Sequence, residues 1–127
     1  MVYNDPVNSA AVAAAFIAAA SAGFNLFSSF DYTGNGPWPM DRVISYILTY
    51  RSHGAYFRYN GQPFVSTFER PASAADWIEI KRQIDCFFMP DWSSLGAKVA
   101  MEQANGVADG LFSWDAWPWG ANDMKHI

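Results

Sequence analysis

Four carboxylates close four similar stretches of this 127-residue chain. Asp31 ends FNLFSSFD, Glu69 ends PFVSTFE, Asp91 follows CFFMP, and Asp115 follows GLFSW. Each stands just past an apolar run of strand character, where a strand gives way to a loop. Hydrolysis of a glycosidic bond needs two carboxyl groups, a protonated acid for the leaving oxygen and a base or nucleophile across from it. Taken singly, each carboxylate is more simply read as a helix cap or a loop anchor. Four at equivalent positions favour a polar ligand site.

Tryptophans accompany them. Trp38, Trp92, Trp114, Trp117 and Trp119 sit beside Gly, Pro and Asp in loop-like sequence. A flat ring packs on the apolar C–H face of a sugar while carboxylates accept its hydroxyl hydrogen bonds. Trp77 lies in a helical pattern with Ile80 and Ile84, and is read as core. Other chemistries have little support. The single Cys86 and two histidines have no zinc-ligand spacing, and no serine lies in a G-x-S-x-G elbow.

The elements that must position these groups alternate. Residues 9–22, rich in alanine, read as an amphipathic helix capped by Ser9 and closed by Gly23. Before this stretch stand Asp5 and Pro6 rather than a basic segment, so it does not read as a signal peptide. A strand is expected at residues 24–30, and a helix at 39–51 with a stripe of Met40, Val43, Ile44, Ile47 and Leu48. Asn60-Gly61 marks a tight turn between a short strand at 55–59 and a core strand at 63–68. A third helix begins at Ser73, with Asp76 as a near-match to a capping box. A strand at 86–89, a helix capped by Ser93 or Ser94, and a strand at 110–114 complete the series. Alternation of this kind predicts parallel strands joined by crossovers. The spacing from Asp31 to Asp115 gives a repeat of about 28 residues, close to the roughly 31 of an eight-stranded α/β barrel. A doubly wound sheet fits less well, because Gly34-x-Gly36 runs into Pro37 and lacks a third glycine.

Composition narrows the partners. Hydrophobic residues make up 51% of the chain and aromatics 17%, enough for a core plus exposed rings. The net charge of −4, with scattered Lys and Arg, offers no basic patch for nucleic acid. No stretch reads as a membrane span. Cys86 reads as a buried small hydrophobe.

The stretches LFSSFDYTGNGPWP, PFVSTFE, FFMPDWSSLG and GVADGLFSWDAWPWG resemble the fungal glycoside hydrolase family 71, the α-1,3-glucanases or mutanases. The resemblance covers residues 4–124. It implies a (β/α)8 TIM-type barrel, hydrolysis of α-1,3-glucan with inversion, no metal or organic cofactor, secretion, and action on fungal cell-wall polysaccharide. Asp31 matches an aspartate the family needs for activity, and Asp115 is the best partner this chain offers, so the two are the candidate catalytic pair. Tyr32, Trp38, Glu69, Asp91, Trp92, Trp114 and Trp117 are the candidate substrate-binding residues. Arg70 departs from the small residue expected after TFE. The family's acid–base pair belongs to a W-N-D-x-G-E segment on a later strand, and nothing after Trp119 resembles it. The expectation is a fragment of one barrel domain over residues 1–127, with about four βα units of eight and both ends of the barrel missing. On this basis the chain is expected to be inactive alone. The alternative is a non-catalytic glucan-binding protein or a pseudogene remnant.

Overall fold

The computed structural model describes residues 1–114. The chain runs α1 (Asn8–Ala22), β1 (Ser28–Asp31), α2 (Met40–Tyr50), β2 (Arg58–Tyr59), β3 (Gln62–Phe68), α3 (Ala74–Gln83), β4 (Phe87–Phe88) and α4 (Ala97–Ala104). Single 3-10 turns, Pro71–Ser73 and Ser93–Leu95, precede α3 and α4.

The sheet is parallel where it matters. β1 pairs with β3 from Ser28↔Val65 to Asp31↔Phe68, and β3 pairs with β4 at Phe64↔Phe87 and Val65↔Phe88. Isolated parallel bridges extend the array at both edges, Val2↔Asp31 on one side and Asp91↔Phe112 on the other. Five parallel segments therefore lie side by side in the order in which the chain visits them. Among the described residues only β2 is an antiparallel strand, at the start of β3. Asn60 and Gly61, at φ +50° and +77°, join those two strands in the doubly left-handed turn their sequence predicts.

Alternation along each strand separates two faces. Ser28, Phe30 and Tyr32, then Val65 and Thr67, then Phe88 and Pro90, point toward the helices and are buried. Val43 and Ile47 of α2, Trp77 and Ile80 of α3, and Ala100 and Ala104 of α4 pack onto that face in one cluster. Trp77 lies flat on Phe88, ring centroids 3.9 Å apart at 5°. The opposite face carries Phe27, Phe64, Phe87 and Phe112 with Ser29 and Ser66, and no helix covers it among the described residues.

Several local expectations are corrected. Ser9 lies inside α1, whose N-cap is Val7, and no side-chain cap bond forms there. Only Phe16 and Ala19 of α1 are buried, so its apolar stripe is far narrower than expected; Phe16 stacks on Tyr50 and Tyr56 in a separate small cluster. Gly23 does close α1, at φ +74°. Ser73 makes no cap hydrogen bond either, because the Pro71–Ser73 turn already leads the chain into α3. Leu48 is exposed, one position off the buried stripe of α2. Residues 24–27 and 110–114 are less regular than the strands expected there, each held by one bridge, Leu26↔Tyr56 and Asp91↔Phe112.

Candidate functional site

The parallel register sets one row across the C-terminal end of the sheet: Asp31, Phe68, Asp91 and Phe112 on four neighbouring segments. Partners in a row share a face, and this row belongs to the face without helices. Two strand spacings separate the Asp31 and Asp91 backbones, about 10 Å. Below the row lies a cleft of about 240 Å³ lined by Ser29, Ser66, Phe68, Asp91, Phe112 and Trp114, among others.

The two aspartates are built alike. Asp31 Oδ1 accepts hydrogen bonds from Thr33 N–H at 2.8 Å, Thr33 Oγ1 at 2.8 Å and Gly34 N–H at 3.1 Å. Asp91 Oδ1 accepts from Ser93 N–H at 3.0 Å and Ser93 Oγ at 2.5 Å. Both are Asp-x-Ser/Thr turns, in which the carboxylate folds the next residues back on the strand end. Partial desolvation pushes the Asp31 carboxyl up, but the Thr33 and Gly34 hydrogen bonds outweigh it. With the positive Met1 amine nearby, they hold it below the ordinary aspartate value. Asp31 is thus suited to a charged role, as a base or as a stabiliser of positive charge, and not to proton donation near neutrality. A Cβ at Gly34 would lie 2.6 Å from Val2 Cγ1 and 3.3 Å from Asp31 Oδ2, so the turn needs glycine there.

Glu69 ends the strand between them. It and Arg70 are both left-handed, at φ +58° and +57°, which turns the chain sharply. Its N–H donates to the Asp91 carbonyl at 2.8 Å. Its carboxylate reaches across to the next loop, accepting Ser94 N–H at 3.1 Å and Ser94 Oγ at 2.5 Å. The structure therefore brings Asp31, Glu69 and Asp91 to one end of the sheet, each engaged with loop donors. Asp115, Trp117 and Trp119 lie outside the described residues.

The aromatic candidates divide, and the division corrects the sequence reading. Trp38 is only 3% exposed, wedged against Phe30 and Tyr46 with its indole N–H donated to the Met1 carbonyl at 3.2 Å. Trp92 is 2% exposed and packs edge-on to Phe88. Tyr32 is buried on the helix side with its hydroxyl beside the Trp77 indole N–H, and burial pushes its pKa up. These three rings form the wall behind the site and offer no face to a sugar, because the core claims aromatics next to Gly and Pro as readily as any others. Trp114 is the opposite case, 64% exposed, edge-on to Phe68 at 5.7 Å. Trp77 is core, as its helical spacing predicts.

Ser93 and Ser94, expected as helix caps, instead bond Asp91 and Glu69, and α4 starts only after Gly96. The repeated Asp-x-Ser/Thr spacing at Asp31 and Asp91 was the available signal. No group of His, Cys, Asp and Glu among the described residues could hold a metal ion. Burial pushes the Cys86 thiol up to about 11, so it is an inert core group. No helix among the described residues is long and apolar enough to cross a membrane.

The profile of glycosyl hydrolase family 71 matches residues 1–127. A glucan endo-1,3-alpha-glucosidase of Schizosaccharomyces pombe is 30% identical over 121 residues, which cover 85% of this chain and 28% of that protein. A mutanase of Penicillium rubens is 29% identical over 110 residues, 84% of this chain and 24% of the relative. The chain thus spans about a quarter of the length of these curated relatives. No solved structure matches it.

Proposed function

This chain belongs to glycosyl hydrolase family 71, and from that premise we propose that it supplies part of the glucan cleft of an α-1,3-glucan hydrolase. Its five parallel segments, in chain order with α2, α3 and α4 on one face, are read as part of a (β/α)8-type barrel, whose interior is the helix-free face. The observation that carries the reading is the row Asp31–Phe68–Asp91–Phe112 at the C-terminal end of that face, where barrel enzymes place their chemistry. Asp31, kept ionised, serves as the charged partner in the reaction. Glu69 and Asp91 hold the loops around it, and Trp114 offers a stacking face for the sugar. Asp115 remains the proposed second member of the pair.

Alone, the chain binds α-1,3-glucan without cleaving it at a useful rate. An inverting reaction needs acid and base roughly 6.5–9.5 Å apart across the scissile bond, and a misplacement of about 1 Å can cost around a hundredfold. Asp31, Glu69 and Asp91 each already serve a loop, which favours binding over turnover. The test is to incubate the chain with insoluble α-1,3-glucan, measuring co-sedimentation and new reducing ends, beside Asp31→Asn. Co-sedimentation without reducing ends is expected from both. Reducing ends from the wild-type chain that disappear in Asp31→Asn would show that a working pair is present. Failure to co-sediment would sink the glucan reading.

A further inference from the structure

Ser93 is engaged twice. Its hydroxyl donates to Asp91 Oδ1 at 2.5 Å and accepts the backbone N–H of Trp114 at 2.9 Å. A hydroxyl has one proton and two lone pairs, so donation to the carboxylate leaves the lone pairs free to accept. A donor bound to an ionised group is also stronger than a neutral one. The chain of contacts Asp91–Ser93–Trp114 therefore ties the end of β4 to the next parallel segment, two residues beyond its single bridge at Phe112. Among the described residues the Trp114 ring is 64% exposed and touches Phe68 edge-on. Ser94, bonded to Glu69 by both its N–H and its hydroxyl, holds the same turn from the β3 side. Two carboxylates on adjacent strand ends thus grip two consecutive serines, and one of those serines sets the backbone of the exposed tryptophan.

We infer that Ser93 is a positioning residue: it holds Trp114 at the rim of the cleft so that the indole is preorganised for an apolar sugar face. This rests on the reading of the cleft as a glucan site. Preorganisation raises affinity by sparing the ligand the cost of ordering the ring. Loss of the hydroxyl removes both hydrogen bonds, and loss of the one of ordinary strength to the Trp114 N–H corresponds to about a threefold to tenfold loss of affinity.

The experiment uses the whole chain and a soluble α-1,3-linked gluco-oligosaccharide, with Kd from calorimetry for wild type, Ser93→Ala, Ser93→Thr, Trp114→Ala and the double variant Ser93→Ala/Trp114→Ala. Ser93→Ala is expected to weaken binding about threefold to tenfold, and Ser93→Thr, which keeps the hydroxyl, to restore it. In the Trp114→Ala background Ser93→Ala is expected to add nothing. An equal loss in both backgrounds would overturn the assignment. A second readout is independent of sugar: the indole N–H resonance of Trp114, identified by its absence in Trp114→Phe, should move in Ser93→Ala and stay in place in Ser93→Thr. An unmoved resonance in Ser93→Ala overturns the positioning role even if glucan binds. A wild-type chain that binds no oligosaccharide overturns the ligand assignment, and the resonance still decides whether Ser93 sets Trp114.

Discussion

Phe87 and Phe88 are neighbours in sequence and belong to different surroundings. Phe88 is fully buried, flat against Trp77 and enclosed by α2, α3 and α4. Phe87 faces the other way, among Phe64 and Tyr59 on the side that no described helix covers. The same contrast separates Tyr32 from Asp31 and Thr67 from Ser66. One face of the sheet is a finished core. The other is a collection of rings and small polar groups, apolar enough to bury yet lined with hydroxyls and two carboxylates. A face that served stability alone would not carry Ser29, Ser66 and Asp91 between phenylalanines. The difference teaches that the covered face determines whether the chain folds, and the open face determines what it can hold.

The sharpest way to break this comparison is to truncate one ring on each face. Phe88→Ala removes a fully enclosed side chain and is expected to cost about 3–5 kcal/mol. Phe112→Ala, at a ring already 40% exposed, is expected to cost about 1 kcal/mol or less. Urea midpoints at constant slope measure both. Equal losses would mean that the open face is as much core as the covered one.

A smaller effect is expected at the acid end. In the unfolded chain Asp31 takes up its proton near the ordinary value of 3.8, whereas in the folded chain it does so at lower pH. The unfolded state therefore binds more protons in between, and stability rises with pH through that window. Asp31's contribution is fully present above about pH 4 and is lost as pH falls through the depressed value. Asp31→Asn should flatten this part of the acid limb while leaving mid-pH unfolding cooperative. An unchanged acid limb would show that the Thr33 and Gly34 bonds do not discriminate between the charged and neutral carboxyl.

The smallest effect concerns its neighbour across the sheet. Tyr32→Phe deletes a buried hydroxyl whose contact with the Trp77 indole falls short of a well-formed hydrogen bond, so stability should change by no more than about 0.5 kcal/mol. Capture by α-1,3-glucan should be unaffected, since the ring lies behind the site. A fall in capture with stability intact would return Tyr32 to the list of sugar contacts.

What could be read from the residues follows the same divide. Periodicity located α2 and α3 through Val43 and Ile47 and through Trp77, Ile80 and Ile84, because a buried stripe repeats with the helix. Apolar runs located the strands and left the carboxylates at their ends. Asn60-Gly61 named its own turn. Caps were less legible: Ser9 lies inside α1, which starts earlier, and Ser73 does stand at the N-cap of α3 but at φ −87° and ψ 8°, off the extended backbone from which a hydroxyl reaches the first turn, so it makes no cap bond. Burial of individual loop aromatics was least legible. Trp38 and Trp114 stand in similar local sequence, and only the return of Met1, Tyr3 and Tyr46 to the same place encloses one and leaves the other open.

The pairing pattern also has a kinetic consequence. The β2–β3 hairpin closes across two residues, whereas Ser28 reaches Val65 only after α2 and that hairpin have been threaded between them. Loop-closure entropy is small for the first contact and must be met in full for the second before any parallel hydrogen bond offsets it. Folding should therefore begin around the Asn60-Gly61 turn and add β1 and β4 afterwards. Gly61→Ala, at a left-handed position, should then slow refolding more than it speeds unfolding. The opposite partition in a denaturant chevron would place the nucleus in the parallel ladder instead.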